Sequence, residues 1–128
     1  MVSQVQNSGL ANITSALAAY TSLPKYLQWG TGSAAAKSAN VVTTTTTTEA
    51  RTSGTVSQQT TTATNDTYQV TGTITAAGAR AITEVGVFDA AGASSPPTGG
   101  NMCLYGDFSV INLASGDSIA FTVKCTFS

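Results

Sequence analysis

Histidine is missing from this sequence, and charged residues make up only 9% of it. The chain therefore lacks the side chain that most often serves as a general base near neutral pH and that most often binds metals. Its six acidic and five basic residues are scattered along 128 positions, with no evident carboxylate pair and no basic stripe. We expect no enzymatic activity, no cofactor, no small-molecule substrate and no nucleic acid partner.

Acidic loops with calcium-ligand spacing are missing as well. Asp89, Asp107 and Asp117 could bind an ion together only if their separate turns converged in the fold. Aspartate at a strand end more commonly shapes a turn by bonding to nearby backbone. We therefore expect no bound metal.

Long apolar runs do not occur either. A spanning helix needs about 18 or more consecutive apolar residues, which the chain does not contain, and its N-terminus has no basic start or apolar stretch typical of a secretory signal. We expect no membrane contact and no export. Without export, Cys103 and Cys125 are expected to be buried free thiols on neighbouring strands, with a disulfide between them as the alternative.

Threonine, alanine and serine dominate what is present, so hydroxyls and small side chains must cover the surface. A surface this poor in charge gives little protection against self-association. Two Thr-rich runs, 41–48 and 52–64, are β-branched and favour an extended backbone over disorder. We expect 33–64 to form an extended arm or edge strands, bent or bulged at Gly54, with 41–64 covered by subunit or capsid contacts. Thr45 and Thr47 are the candidate contact residues there.

One short helix is indicated in the N-terminal segment 1–24. Apolar residues recur at helical spacing from Leu10 to Tyr20, Asn7 or Ser8 is available as the N-cap, and Pro24 ends the segment. The helix is short and only moderately amphipathic. We expect it to lie against a sheet.

The remaining pattern is that of strands. Residues 68–75 and 118–127 alternate at period two, and 82–89 is apolar on both faces, which suits the middle of a two-layer structure. Seven or so strands separated by turns predict one all-β domain over 1–128, an antiparallel β-sandwich or jelly-roll-like fold. Residues 65–128 are expected to supply the core strands.

Two buried polar or aromatic positions need partners under this interpretation. Glu84 is the only charge inside the central strand, on one face with Ile82 and Phe88, and its carboxylate is expected to bond to Arg51, to Arg80 or to backbone amides. Trp29 is expected, with Tyr26, to fill the core between helix and sheet; a sugar-stacking platform is the alternative. We expect all of these residues to serve structure.

Seven stretches carry a resemblance to a known family. They are NSGLANI at 7–13, PKYLQWGTG at 24–32, EAR at 49–51, YQVTGTIT at 68–75, ITEVGVFD at 82–89, YGDFS at 105–109 and LASGDSI at 113–119. Together they resemble small structural proteins of tailed bacteriophages, similar to head decoration (cement) proteins, with related patterns in tail-fibre-associated proteins. The resemblance covers nearly the whole chain, and its most specific part is the ITExGxFD strand followed by the GDxI strand. The long Thr run and the Pro96-Pro97 loop depart from the pattern.

The resemblance implies a virion protein without catalytic residues. It would assemble in the host cytoplasm, bind the major capsid protein on the outer capsid surface as a homotrimer, and stabilise the expanded lattice. A tail-fibre or baseplate-associated module, structural or host-binding, is the alternative that the same pattern leaves open. An exported carbohydrate-binding domain is a third class of function.

Overall fold

The computed structural model describes residues 3–37 and 48–128. Its elements, in chain order, are α1 (Asn7–Ala19), β1 (Tyr26–Gly30), β2 (Thr52–Ser53), β3 (Thr55–Gln59), β4 (Thr67–Thr75), β5 (Arg80–Phe88), β6 (Met102–Leu113) and β7 (Ser118–Thr126). The strands form two antiparallel sheets: sheet A in the order β2-β1-β5-β6 and sheet B in the order β3-β4-β7. This arrangement confirms the predicted all-β sandwich with one N-terminal helix.

The two sheets meet through the side chains that period-two alternation turns inward. On β4 these are Tyr68, Val70 and Ile74, as the sequence predicts, and β7 contributes Phe121 from its own alternating face. Sheet A supplies buried residues from β1 and β5. Because β1 lies inside sheet A, the core is not confined to 65–128, and that part of the domain prediction is wrong.

Trp29 lies between the two sheets, not between helix and sheet as expected. Its side chain is 1% exposed, and its ring stands edge-on to Phe121 with the centroids 6.5 Å apart. Tyr26 was expected to join it, but a residue three positions earlier on the same strand lies on the opposite face of the sheet. There Tyr26 is half-buried, with Lys25 Nζ 5.5 Å from its ring centroid.

β5 runs between β1 and β6, as predicted for the central strand, but its faces differ from strict alternation. The register with β6 shifts between Ile82 and Glu84: these two residues are two positions apart on β5, whereas their partners Ile111 and Asp107 are four positions apart on β6. Ile82 therefore shares the core with Val85 and Val87, while Glu84 faces away from it. The prediction that Ile82 and Glu84 share a face is wrong because a bulge cannot be recognised from period two alone.

The second Thr-rich run forms edge strands of both sheets. β2 pairs with β1 in sheet A, β3 pairs with β4 in sheet B, and Gly54 between them marks the crossing. A Cβ at Gly54 would lie 2.7 Å from Val70 Cγ1 and 2.8 Å from the Thr71 carbonyl oxygen. Glycine is therefore required for this close approach, and the predicted bend is confirmed.

Helix α1 packs against sheet B near the β3–β4 turn, as expected of a short helix. Thr14 is fully buried; its hydroxyl donates to the Asn65 carbonyl at 2.6 Å and accepts from Gln58 Nε2 at 2.7 Å. The predicted cap is wrong, because Gln6 occupies the N-cap position without a side-chain hydrogen bond. Among the described residues, no helix has the length and apolar character needed to cross a membrane.

Candidate interaction surfaces

The Glu84 carboxylate is fully buried on the face of sheet A that points away from the core. Oε2 accepts the Tyr105 hydroxyl at 2.7 Å, and Oε1 accepts the Gly32 backbone N–H at 3.2 Å. Gly32 follows β1, so the carboxylate ties that exit segment to β5 and β6. Of the three expected partners, the backbone amide is therefore right, and neither arginine bonds to Glu84.

Arg51 is also buried, at 7% exposure, and it anchors the 90–100 loop. Its Nε donates to Gln28 Oε1 at 2.8 Å, and Nη1 donates to the carbonyls of Ala90 and Gly99 at 2.9 and 2.8 Å. Nη2 is buried and has no hydrogen-bond partner among the described residues. Burial lowers the pKa of Arg51, and the nearby Asp89 carboxylate partly opposes that shift.

Arg80 pairs with Glu49, which the sequence had marked only as part of the EAR stretch at 49–51, with no role assigned. Arg80 Nε lies 3.1 Å from Glu49 Oε1, which also accepts the Ala77 N–H at 2.9 Å. Oε2 of the same carboxylate accepts from Trp29 Nε1 at 3.4 Å. Burial acts to raise the pKa of Glu49, but these donors outweigh it and lower the pKa. The signal available in the sequence was only that an acid lies two residues before Arg51.

Asp66 is a second structural carboxylate that the sequence marked only as part of a turn. It is fully buried and accepts the backbone N–H groups of Thr61, Thr62 and Ala63 at 2.8 to 2.9 Å. These donors, with Ala63 foremost, hold the pKa of Asp66 far below its ordinary value. The carboxylate thus shapes the β3–β4 turn against which α1 packs.

The three aspartates considered for calcium bond to three separate segments, and Asp107 lies within β6, not in a turn as expected. Asp89 accepts from Asn101, Asp107 accepts the Ala34 N–H, and Asp117 accepts the N–H of Ala114. Over 3–37 and 48–128, no group of three or more potential metal ligands comes together.

The two cysteines do not lie as predicted. Both are free, but Cys103 is exposed on β6 and Cys125 is half-buried on β7, so they belong to different sheets. Both line an apolar cavity of about 380 Å³ beneath α1, together with Leu17, Tyr68 and Phe127. Partial burial against this cavity raises the pKa of both thiols, and the nearby Asp89 carboxylate further raises the pKa of Cys103.

The outer face of sheet B is covered by hydroxyls. Cross-strand pairing sets Thr71 opposite Thr122 and Thr75 opposite Ser118, whose hydroxyls lie 2.6 Å apart. We call this surface the hydroxyl face; its members are Thr71, Thr73, Thr75, Ser118, Ala120, Thr122 and Lys124. All are exposed except Thr71, which is half-buried, and the single charge among them is Lys124. Such a face can be desolvated without burying many charges.

The remaining predicted contact residues, Thr45 and Thr47, lie outside the described residues. The prediction that 41–64 is covered by subunit or capsid contacts therefore stays a prediction. In the described part of that run, β2 and β3 are built into the sandwich as edge strands.

Comparison with protein-family models, with curated proteins and with solved structures finds no match for this chain.

Proposed function

We propose that this protein is a capsid decoration (cement) protein of a tailed bacteriophage. In this proposal it binds the major capsid protein on the outer surface of the phage head as a homotrimer and stabilises the expanded lattice. The protein assembles in the host cytoplasm and resides on the virion.

The observation that carries the proposal is the hydroxyl face. It is a regular two-strand array in which Thr73, Thr75 and Thr122 are exposed and Lys124 provides the only charge. A contact surface of this kind is adhesive through methyl groups and hydroxyls, and it costs less to dehydrate than a charged surface when its hydroxyls are hydrogen-bonded in the contact. The buried charged side chains form hydrogen bonds within the domain. These are Glu84, Arg51 and Glu49.

The mechanism is a linkage of binding to lattice state. A protein that binds the expanded lattice and not its precursor adds its binding free energy to the expanded state. Several contacts made by one oligomer act together, because after the first contact the others form at high effective concentration. The shell therefore resists internal pressure through many individually modest contacts.

The test is attachment to phage heads that have expanded without a decoration protein. The purified protein should co-sediment with these heads and raise the temperature at which they open. Thr73→Glu, which places a carboxylate in the middle of the hydroxyl face, should weaken attachment. Asn12→Lys changes an exposed position on α1 and serves as the matched control.

Two results would count against the proposal. If the parent protein does not bind expanded heads, the capsid role fails. If it binds tails or host cells instead, the tail-fibre or baseplate alternative replaces it.

A further inference from the structure

The sandwich is open along one side. Within residues 3–37 and 48–128, β6 pairs only with β5 and β7 pairs only with β4, although the two strands follow each other through the 114–117 turn. In the described part of the chain, each strand thus presents one backbone edge without a strand partner. We call β6 and β7 together the open edge.

Inward-facing apolar side chains are incompletely buried along the open edge. Strands inside the sheets bury Val70, Ile82 and Val87 completely. By contrast, five residues of the open edge that pack on the core are only half-buried, as is Phe127 directly after β7; the five are Leu104, Phe108, Leu113, Ile119 and Val123. Val110 and Ile111, also on β6, are 53% and 39% exposed. Covering this side would remove further apolar area from water.

Apart from the bulge in β6, the open edge has few of the features that usually prevent strand addition. Natural edge strands are commonly interrupted by proline or carry several charges. From Met102 to Thr126 there is no proline, and the charged residues are Asp107 and Lys124 on the strands and Asp117 in the turn. Both edges are therefore competent to pair with another strand.

The two strand charges indicate which strand each edge would accept. Asp107 pairs in register with Glu84 on the outer face of sheet A, and Lys124 pairs with Gln69 on the outer face of sheet B. Both are exposed. Pairing β6 with a second β6, or β7 with a second β7, would place like charges on one ladder, whereas pairing β6 with β7 combines opposite charges.

We propose that copies of this chain join edge to edge, with β6 of one copy pairing antiparallel with β7 of the next, and close into a ring. Within one copy, β6 and β7 run in opposite directions. Rotation about an axis parallel to the strands does not change strand direction, so β6 of one copy meets β7 of the next copy in the antiparallel sense. Such a contact uses two different patches on each copy, and rings are the closed form of such contacts. The inference rests on the self-assembly in the proposed function, but not on the capsid.

The register of this pairing follows from the turn. Lys124 lies six residues after β7 begins and Asp107 six residues before β6 ends, but the bulge in β6 brings Asp107 about two residue steps closer to the turn. The two side chains are therefore diagonal neighbours, a spacing that a lysine side chain spans. In the ring, the half-buried apolar residues of all copies face the axis and form a shared core.

The test is the molar mass of the full-length protein, measured by sedimentation over a range of concentrations. The parent should be an oligomer. Lys124→Glu and Asp107→Lys should each raise the dissociation constant by roughly tenfold or more, because each sets like charges together. The charge-swapped double variant should recover association, which a merely destabilised fold would not do.

Thr73→Glu is the matched control, because it adds a negative charge to the same sheet away from the open edge. It should remain oligomeric even if it no longer binds heads. Ile111→Lys is an independent variant in case Asp107→Lys loses its bond to Ala34 and unfolds; circular dichroism and thermal melting report the fold of each variant. Ile111→Lys should also dissociate the ring.

Distinct outcomes separate this inference from the capsid proposal. A parent that is monomeric at every concentration, or a Lys124→Glu variant that associates like the parent, overturns the ring. An oligomer that dissociates as described but does not bind heads supports the ring and overturns the capsid role.

Discussion

The guanidinium carbon of Arg51 lies 3.6 Å from the centroid of the Phe88 ring. A cation over an aromatic face is attracted by the ring quadrupole, and the attraction is stronger when both groups are buried, as they are here. The same guanidinium bonds to Gln28 on β1 and to two carbonyls of the 90–100 loop. One side chain thus joins the end of β5, the middle of β1 and the loop that covers them.

Arg51→Ala should lower the free energy of unfolding by about 2–3 kcal/mol, because it strands buried acceptors that were bonded to a charged donor. Arg51→Lys should recover only part of this, since an ammonium cannot reproduce the planar fork. Urea denaturation measures both. Lys25→Ala removes the more exposed cation over Tyr26 and should cost less than about 1 kcal/mol. Equal losses for Arg51→Ala and Lys25→Ala would contradict the proposed role.

Glu84→Ala should cost about 1–3 kcal/mol, because the Tyr105 hydroxyl and the Gly32 N–H lose their acceptor. A double-mutant cycle with Tyr105→Phe should show a coupling free energy of about 0.5 kcal/mol or more. Additive effects would mean that the hydroxyl contributes nothing through Glu84. A loss below about 0.5 kcal/mol for Glu84→Ala alone would be typical of a surface position and would contradict its burial.

The lowered pKa of Asp66 predicts a specific acid sensitivity. Its stabilising contribution is fully present above the ordinary carboxyl value of 3.8 and is lost as the pH falls below it, because only the ionised form is favoured by the three N–H donors. Asp66→Asn should therefore melt at a lower temperature than the parent at pH 7. The gap between their melting temperatures should narrow in acid. A gap that stays constant down to low pH would refute this assignment.

Gly54→Ala should destabilise the fold by about 1–3 kcal/mol, because the new methyl group meets a backbone oxygen and a core valine at contact distances that neither can relieve. Gly106→Ala is the matched control within a strand, since a Cβ there meets no atom within 4 Å. It should be nearly neutral. Thermal melting of the two variants makes the comparison, and similar losses would show that strand propensity, not the crossing, explains the effect.

Both thiols should be alkylated when the protein is denatured without a reductant, because Cys103 and Cys125 are free. In the native protein, alkylation near neutral pH should be slower than for an unstructured cysteine peptide, since partial burial, and for Cys103 also the Asp89 carboxylate, raises both thiol pKa values and the thiolate is the reactive form. Raising the pH should speed it. Mass spectrometry counts the modified sites, and an unmodified pair after denaturation would reveal a disulfide.

Period two in the sequence was enough to predict the sandwich and the inward faces of β4 and β7. Tyr68, Val70 and Ile74 are buried where alternation put them, and the last strand alternates as expected. The interior position of 82–89 also followed, because a strand apolar on both faces cannot lie at a solvated edge. These are local properties: each residue's face depends on its neighbours along one strand.

The partners of the buried charges were decided only by tertiary structure. Glu84 bonds to Tyr105 and Gly32, Arg51 stacks on Phe88, and Glu49 takes Arg80, all through segments brought together by the fold. The bulge that puts Ile82 and Glu84 on different faces arises from how β5 pairs with β6. Likewise, β6 and β7 are consecutive in the chain but pair with strands of different sheets. Alternation within one segment shows which side chains face inward, but not which distant segment will lie beside it. Side-chain partners and unpaired strand edges depend on that neighbouring segment, so only the tertiary structure determines them.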